Sequence, residues 1–284
     1  MPRLSKAAWK RHEDAEAILS LDRRLTDDEI EQVLRDWNPA ATNNVGAAGA
    51  FFTPIDMAWN VAVFNHLDYN GTEYLDLCAG IGSMLHGWVR WHSVGRERVH
   101  ITAIEINPDY VEVGRRLFPD VEWIVGDVFD QDLINDLPVF SVGVSNPPFG
   151  RVRTTAGKGD WLRYCGKAEY MVAEIMAHKC SLGGHLIVPA ESAPWRREVE
   201  DVYDAKGRVT GHRAVVNEYM SPEYMKWANA NQGWLLNRTS LDVSLLTGFE
   251  HTGVEVEIVE LEFGEDYGQE VLTAGLPLFE GVPA

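Results

Sequence analysis

Between residues 73 and 190 the chain alternates between two periods, and that alternation leaves few folds open. The runs EYLDLCA, VHITAIEI, VEWIVGDV, FSVGVSN and GGHLIVPA are short, apolar and rich in β-branched residues, as buried strands are. Between them, Ser83 to Trp91, PDYVEVGRRLF and AEYMVAEIMAHKC carry helical spacing. Strands that alternate with helices pair in parallel, because each helix carries the chain back across a face of the sheet. The pattern predicts an α/β architecture with helices on both faces and right-handed crossovers.

The flanks are read from their punctuation. Residues 5–37 predict two helices, the second opened by a capping box in which Thr26 precedes Glu29. The small residues of 38–50 form a linker. Thr53 and Pro54 fit the first positions of a helix reaching His66. Residues 193–235 break the rhythm with charged and aromatic residues and are read as an insertion. A closing antiparallel pair follows, with a bulge expected between Ile258 and Val259, where the apolar alternation changes phase. The organisation is then an N-terminal helical segment and linker (1–47), one α/β domain (48–263) and a C-terminal tail (264–284).

Cys78, Cys165 and Cys180 form no CxxC pair and the histidines are scattered, so neither a disulfide framework nor a metal site is expected. There is no apolar run of transmembrane length and no signal-peptide core near the N-terminus. A cytoplasmic protein is expected. The formal charge of -18 disfavours non-specific phosphate binding by the whole body. It is unevenly spread, however. Arg151, Arg153, Lys158, Arg163 and Lys167 crowd into residues 151–167 against Asp160 alone. That segment is either a solvated basic loop or a local phosphate-binding face for a substrate.

The first strand runs into a glycine turn, LDLCAGIG, with Asp76 near its end and Gly80 and Gly82 in the turn. Glycines there let a ligand approach the backbone closely. Glu105 ends the second strand, roughly 20 residues on, where a carboxylate can accept bonds from ribose hydroxyls. Asp127 ends the third. Three acidic strand ends on one rim, with no phosphate loop, imply a ligand that has a ribose, an adenine and a positive charge. S-adenosylmethionine fits that description.

The fourth strand ends in SNPPFG, where Pro147 and Pro148 stop the ladder and stiffen the backbone around Asn146 and Phe149. An exocyclic amino group on a nucleobase is a poor nucleophile because its lone pair is delocalised into the ring. Two fixed acceptors, the Asn146 side-chain oxygen and the Pro147 carbonyl, would hold both N–H groups and favour a pyramidal nitrogen. Phe149 would stack on a base drawn out of its helix.

Taken together, AGAFFTP (48–54), LDLCAGIG, AIEINP, GDVF, SNPPFG and SLGGHLIVPA resemble the S-adenosylmethionine-dependent amino methyltransferases. The likeness is to the gamma-type DNA adenine-N6 enzymes in particular, and to the modification subunits of type I restriction systems. It implies a Rossmann-like seven-stranded methyltransferase sheet, mostly parallel with an antiparallel closing strand. It also implies a cofactor site lined by Phe51, Phe52, Thr53, Pro54, Asp76, Cys78, Ala79, Gly80, Gly82, Glu105, Ile106, Asp127, Val128 and Asn146. Asn146, Pro147, Pro148 and Phe149 would form the catalytic loop. DNA is the expected partner, with adenine in RNA, protein glutamine and cytosine N4 as other acceptors and a non-catalytic interaction protein as a different class. Such enzymes usually carry a large target-recognition domain after the catalytic core, and none is expected here, so recognition is expected to fall to the insertion and the basic segment, or to a separate recognition subunit or a homodimer.

Overall fold

The alternation read from residues 73–190 builds one sheet whose strand ends form a rim. A computed structural model describes residues 4–41, 52–68, 72–95, 99–152, 162–218, 221–231, 237–238 and 254–262. The strands β1 (Glu73–Leu77), β2 (His100–Glu105), β3 (Glu122–Val125), β4 (Phe140–Ser145) and β5 (Cys180–Pro189) are parallel, in the order β3-β2-β1-β4-β5. Strand order reverses beside β1. Ligands of open α/β sheets bind at such a switch point, outside the carboxyl ends of the strands.

Strand residues alternate between two cores. Tyr74, Ala103, Val142 and Ile187 face one; Leu75, Ile104, Phe140 and Leu186 face the other. The first core is covered by α3 (Ile55–Asp68), α4 (Ser83–Gly95) and α5 (Pro108–Leu117), together with the N-terminal pair α1 (Lys6–Leu19) and α2 (Asp27–Asp36). On the second face lie α6 (Gln131–Asp136), α7 (Ala168–Lys179) and α8 (Pro222–Ala230). The capping box at Thr26 and Glu29 forms, with both reciprocal bonds present. Arg116 ties the α1–α2 turn to α5 by donating to the carbonyls of Leu19, Leu21 and Arg23.

Two expectations need correction at the closing edge. β9 (Val256–Glu262) runs antiparallel to β5 in unbroken register, with Val259 opposite Leu186 and Ile258 opposite Ile187, so there is no bulge. Val256, Glu257, Ile258, Val259 and Leu261 are all buried. A strand covered on both faces need not alternate, and its change of apolar phase carries no register information. Among the described residues, the body of the sheet has six strands rather than seven, with the two-residue β8 (Asn237–Arg238) at its edge. Beyond β9, those two residues pair with Glu260 and Val259.

The 193–235 insertion contributes a long antiparallel ribbon, β6 (Trp195–Tyr203) with β7 (Val209–Glu218), and then α8. α8 anchors inward rather than forming a satellite. Trp227 stacks on Tyr170 of α7 at 5.6 Å, and both rings are fully buried.

Candidate active site

At the switch point a cavity of about 510 Å³ opens on the rim. Its size lies within the range of small-molecule sites. Four strand ends contribute to its lining: Cys78, Ala79 and Gly80 after β1; Glu105 and Ile106 at β2; Gly126, Asp127 and Val128 after β3; and Asn146 to Phe149 after β4. Phe52, Thr53, Tyr110 and Arg151 also line the walls.

The turn after β1 leaves the ordinary backbone regions three times, with φ of 68° at Cys78, 58° at Gly80 and 96° at Gly82. At Gly80 a side chain would also press on the Phe52 ring, 3.0 Å from the Cβ position. The turn is held from below by its neighbours: Ala79 N donates to Ile104 O at 2.9 Å, and Gly80 N to Glu105 Oε2 at 2.8 Å. Glu105 Oε1 accepts from Asn107 N at 2.9 Å. Glu105 is thus a buried carboxylate held by main-chain donors that include Gly80 N and Asn107 N. Burial raises its pKa, against the lowering effect of those bonds.

Asp76 lies beneath the turn rather than on the cavity wall. It is fully buried, and among the described residues neither carboxylate oxygen has a hydrogen-bond partner. Burial first, and the Glu105 charge second, push it well above the usual carboxylate range. Two orphaned buried oxygens are costly as a charged carboxylate, and the raised pKa favours the neutral acid there. The Cys78 thiol is likewise driven up by burial and by Glu105, which fits a spacer and not a nucleophile. Asp127 accepts from Phe129 N at 2.9 Å, a local turn that fixes its carboxylate at the rim.

At the other end of the cavity, Asn146 Nδ2 donates to the buried Thr53 Oγ1 at 3.1 Å. That bond turns the amide nitrogen toward Thr53 and so sets which way the side chain faces. Pro147 is buried, Pro148 is exposed, and Phe149 is half-buried against the first core.

Not every expected residue reaches the cavity. Pro54, Asp76 and Gly82 are described but do not line it, while Phe51, Arg153 and Lys158 lie outside the described residues. Of the basic cluster, Arg151 lines the wall and Arg163 is exposed. Lys167 Nζ instead donates to Ser192 Oγ at 2.9 Å and pairs with Glu191 at 3.4 Å.

Tyr110 was not anticipated. It stands one turn into α5, and Phe52 meets it edge-on at 5.3 Å. Behind both sits Trp37, at 5.9 Å from Phe52 and 5.8 Å from Tyr110, with its Nε1 donating to Glu16 Oε1 at 2.6 Å. The N-terminal helices therefore back one wall of the cavity. Helix starts that follow strand ends face the rim, and that rule could have singled out Tyr110.

No known protein-family model and no curated protein matches the sequence. Among solved structures, the chain is similar to a Listeria monocytogenes protein described as a class I S-adenosylmethionine-dependent methyltransferase. The TM-score is 0.50 and the identity 12%, over 91% of this chain and 81% of the other. It is similar also to the methyltransferase subunit of a type I restriction-modification system from Streptococcus thermophilus, with a TM-score of 0.50 and 13% identity. That match covers 83% of this chain and 53% of the subunit, so the chain corresponds to about half of it. The fold is the α/β methyltransferase fold, with a mostly parallel sheet and an antiparallel closing strand. Among the described residues no helix is long and apolar enough to cross a membrane, and no cluster of metal-ligating side chains occurs.

Proposed function

We propose that the protein is an S-adenosylmethionine-dependent amino methyltransferase acting on the N6 amino group of adenine in DNA. The observation that carries this reading is one cavity shared by two sets of residues. Gly80, Glu105 and Asp127 suit a nucleoside ligand, and Asn146, Pro147 and Phe149 suit a planar amine. S-adenosylmethionine, when bound, supplies a methyl group on an electrophilic sulfonium. Glu105 and Asp127 would accept hydroxyl and amino hydrogens of its adenosine, and Gly80 would leave its backbone open to close approach.

The target end preorganises an amine. Thr53 orients the Asn146 amide, and Oδ1 with the Pro147 carbonyl would each take one N–H of the amine. Phe149 offers a face for stacking. DNA is favoured by the resemblance of the FFTP and NPPF segments, and by the fold shared with a restriction-modification subunit. Recognition of sequence would fall to the 193–235 insertion and the basic segment, or to a partner subunit or a second copy.

A second reading is transfer to a glutamine amide in a protein, which poses the same chemical problem. It is favoured by the sparse positive charge at the cavity, where Arg151 is the cation among the lining residues. Isotopically labelled S-adenosylmethionine offered with unmethylated DNA, total RNA and protein extract separates these readings. Label in N6-methyladenine from DNA, lost in Asn146→Ala, is the expected result. Label in methylglutamine, or in methylcytosine alone, would overturn the DNA adenine assignment.

A further inference from the structure

Helix α7 carries two carboxylates, Glu169 and Glu174, with 0% and 1% exposure. Burying a charge is costly unless it is closely hydrogen-bonded, so each needs an account. Glu169 Oε2 accepts from Gly150 N at 2.9 Å, and Oε1 accepts from Ser192 Oγ at 2.7 Å. Lys167 Nζ lies 3.9 Å from the same Oε1 and supplies the compensating charge. Glu174 Oε2 accepts from Arg163 N at 2.7 Å, while Oε1 accepts from Tyr164 N at 3.0 Å and from the Asn231 amide.

The partners of these carboxylates are related in sequence. Gly150 directly follows Asn146 to Phe149, and Arg163 with Tyr164 lies at the far end of the same stretch. Gly150 is gripped on both sides, because its carbonyl accepts from Ala168 N at 2.7 Å while its N–H is held by Glu169. Its φ is 78°, and a Cβ there would meet nothing within 4 Å. Crowding does not impose that backbone; the bonds to the first turn of α7 do.

We propose that Glu169 is a positioning residue for the acceptor, anchoring Gly150 at the exit of the Asn146–Phe149 loop, while Glu174 holds Arg163 and Tyr164 against α7. Glu169 sets the exit of that loop, so its loss lowers transfer to the acceptor while leaving cofactor affinity intact. This role rests on the reading of Asn146–Phe149 as the loop that holds the target.

The test compares Glu169→Gln, Glu169→Leu, Ser192→Ala and Glu174→Gln with the wild type. Hydrogen–deuterium exchange would be followed on peptides covering 148–152 and 162–166, with S-adenosylhomocysteine binding by calorimetry and steady-state transfer kinetics. In Glu169→Gln, exchange at 148–152 should accelerate, S-adenosylhomocysteine should bind within about twofold of wild type, and kcat should fall roughly tenfold, the equivalent of one lost hydrogen bond to a charged group. Ser192→Ala should move in the same direction by less, and Glu174→Gln should accelerate exchange at 162–166. Should Glu169→Leu fail to fold, Glu169→Gln and Ser192→Ala still decide the matter. Unchanged exchange at 148–152, or cofactor affinity falling in step with kcat, would overturn the proposal. Absence of transfer by the wild type to any acceptor would sink the functional reading and the acceptor role with it, while exchange would still decide whether Glu169 anchors the loop.

Discussion

The Asn146 amide donates to Thr53 Oγ1 at 3.1 Å, joining the end of β4 to the residues that lead into α3 across 93 positions of sequence. An amide has two nearly isosteric ends, and this bond decides which of them faces an acceptor amine. Removing it should loosen that orientation. Thr53→Val should cut kcat by about 2- to 10-fold, the worth of about 0.5–1.5 kcal/mol. Thr53→Ser should retain most of the rate, and steady-state kinetics that found the two variants equal would remove this role for Thr53.

Asp76 predicts an unusual pH dependence. Its folded pKa is raised by burial and by Glu105, whereas the unfolded chain titrates near 3.9, so folding takes up a proton. The associated stability is fully present below that unfolded value and is lost as pH rises through the folded one. Asp76→Asn should therefore stabilise the empty protein at pH 7 by about 1–3 kcal/mol and flatten the dependence, because an orphaned neutral amide costs less than an orphaned charge. Urea denaturation at pH 5 and pH 8 checks both points.

Cys78 holds a φ of 68° between β1 and Gly80, a region that L-residues avoid. Such strain amounts to about 1–3 kcal/mol. Replacing Cys78 by Gly should be neutral or mildly stabilising, while Cys78→Val should destabilise by about 2 kcal/mol or more. Thermal melts that placed Val above Gly would contradict the strained geometry.

Trp37 couples the N-terminal helices to the cavity through Phe52 and Tyr110. Trp37→Ala should cost about 3–5 kcal/mol. Trp37→Phe, which loses the bond to Glu16 but keeps a ring, should cost about 1 kcal/mol. In Trp37→Phe the rise in Tm on adding S-adenosylhomocysteine should shrink. A full rise would mean that these helices support the fold but not the wall.

How much was legible depended on whether a feature was local. Strand–helix alternation, the Thr26 capping box, the glycine turn and the proline-stiffened Asn146 all follow from neighbours in sequence, since period, capping and proline geometry act within a few residues. Glu105 and Asp127 were legible for a related reason: a parallel sheet brings successive strand ends to one rim. The phase change at Ile258 misled because alternation reports register only where one face of a strand meets water, and β9 is covered on both. Other roles could be decided only by tertiary structure. Lys167 reads as a surface cation until α7 turns it toward Ser192, Glu169 reads as an ordinary helix glutamate until Gly150 arrives above it, and Trp37 reads as core until Phe52 and Tyr110 close against it. A charge or ring acquires its role from partners far away in the chain, and composition and spacing carry no record of those distances.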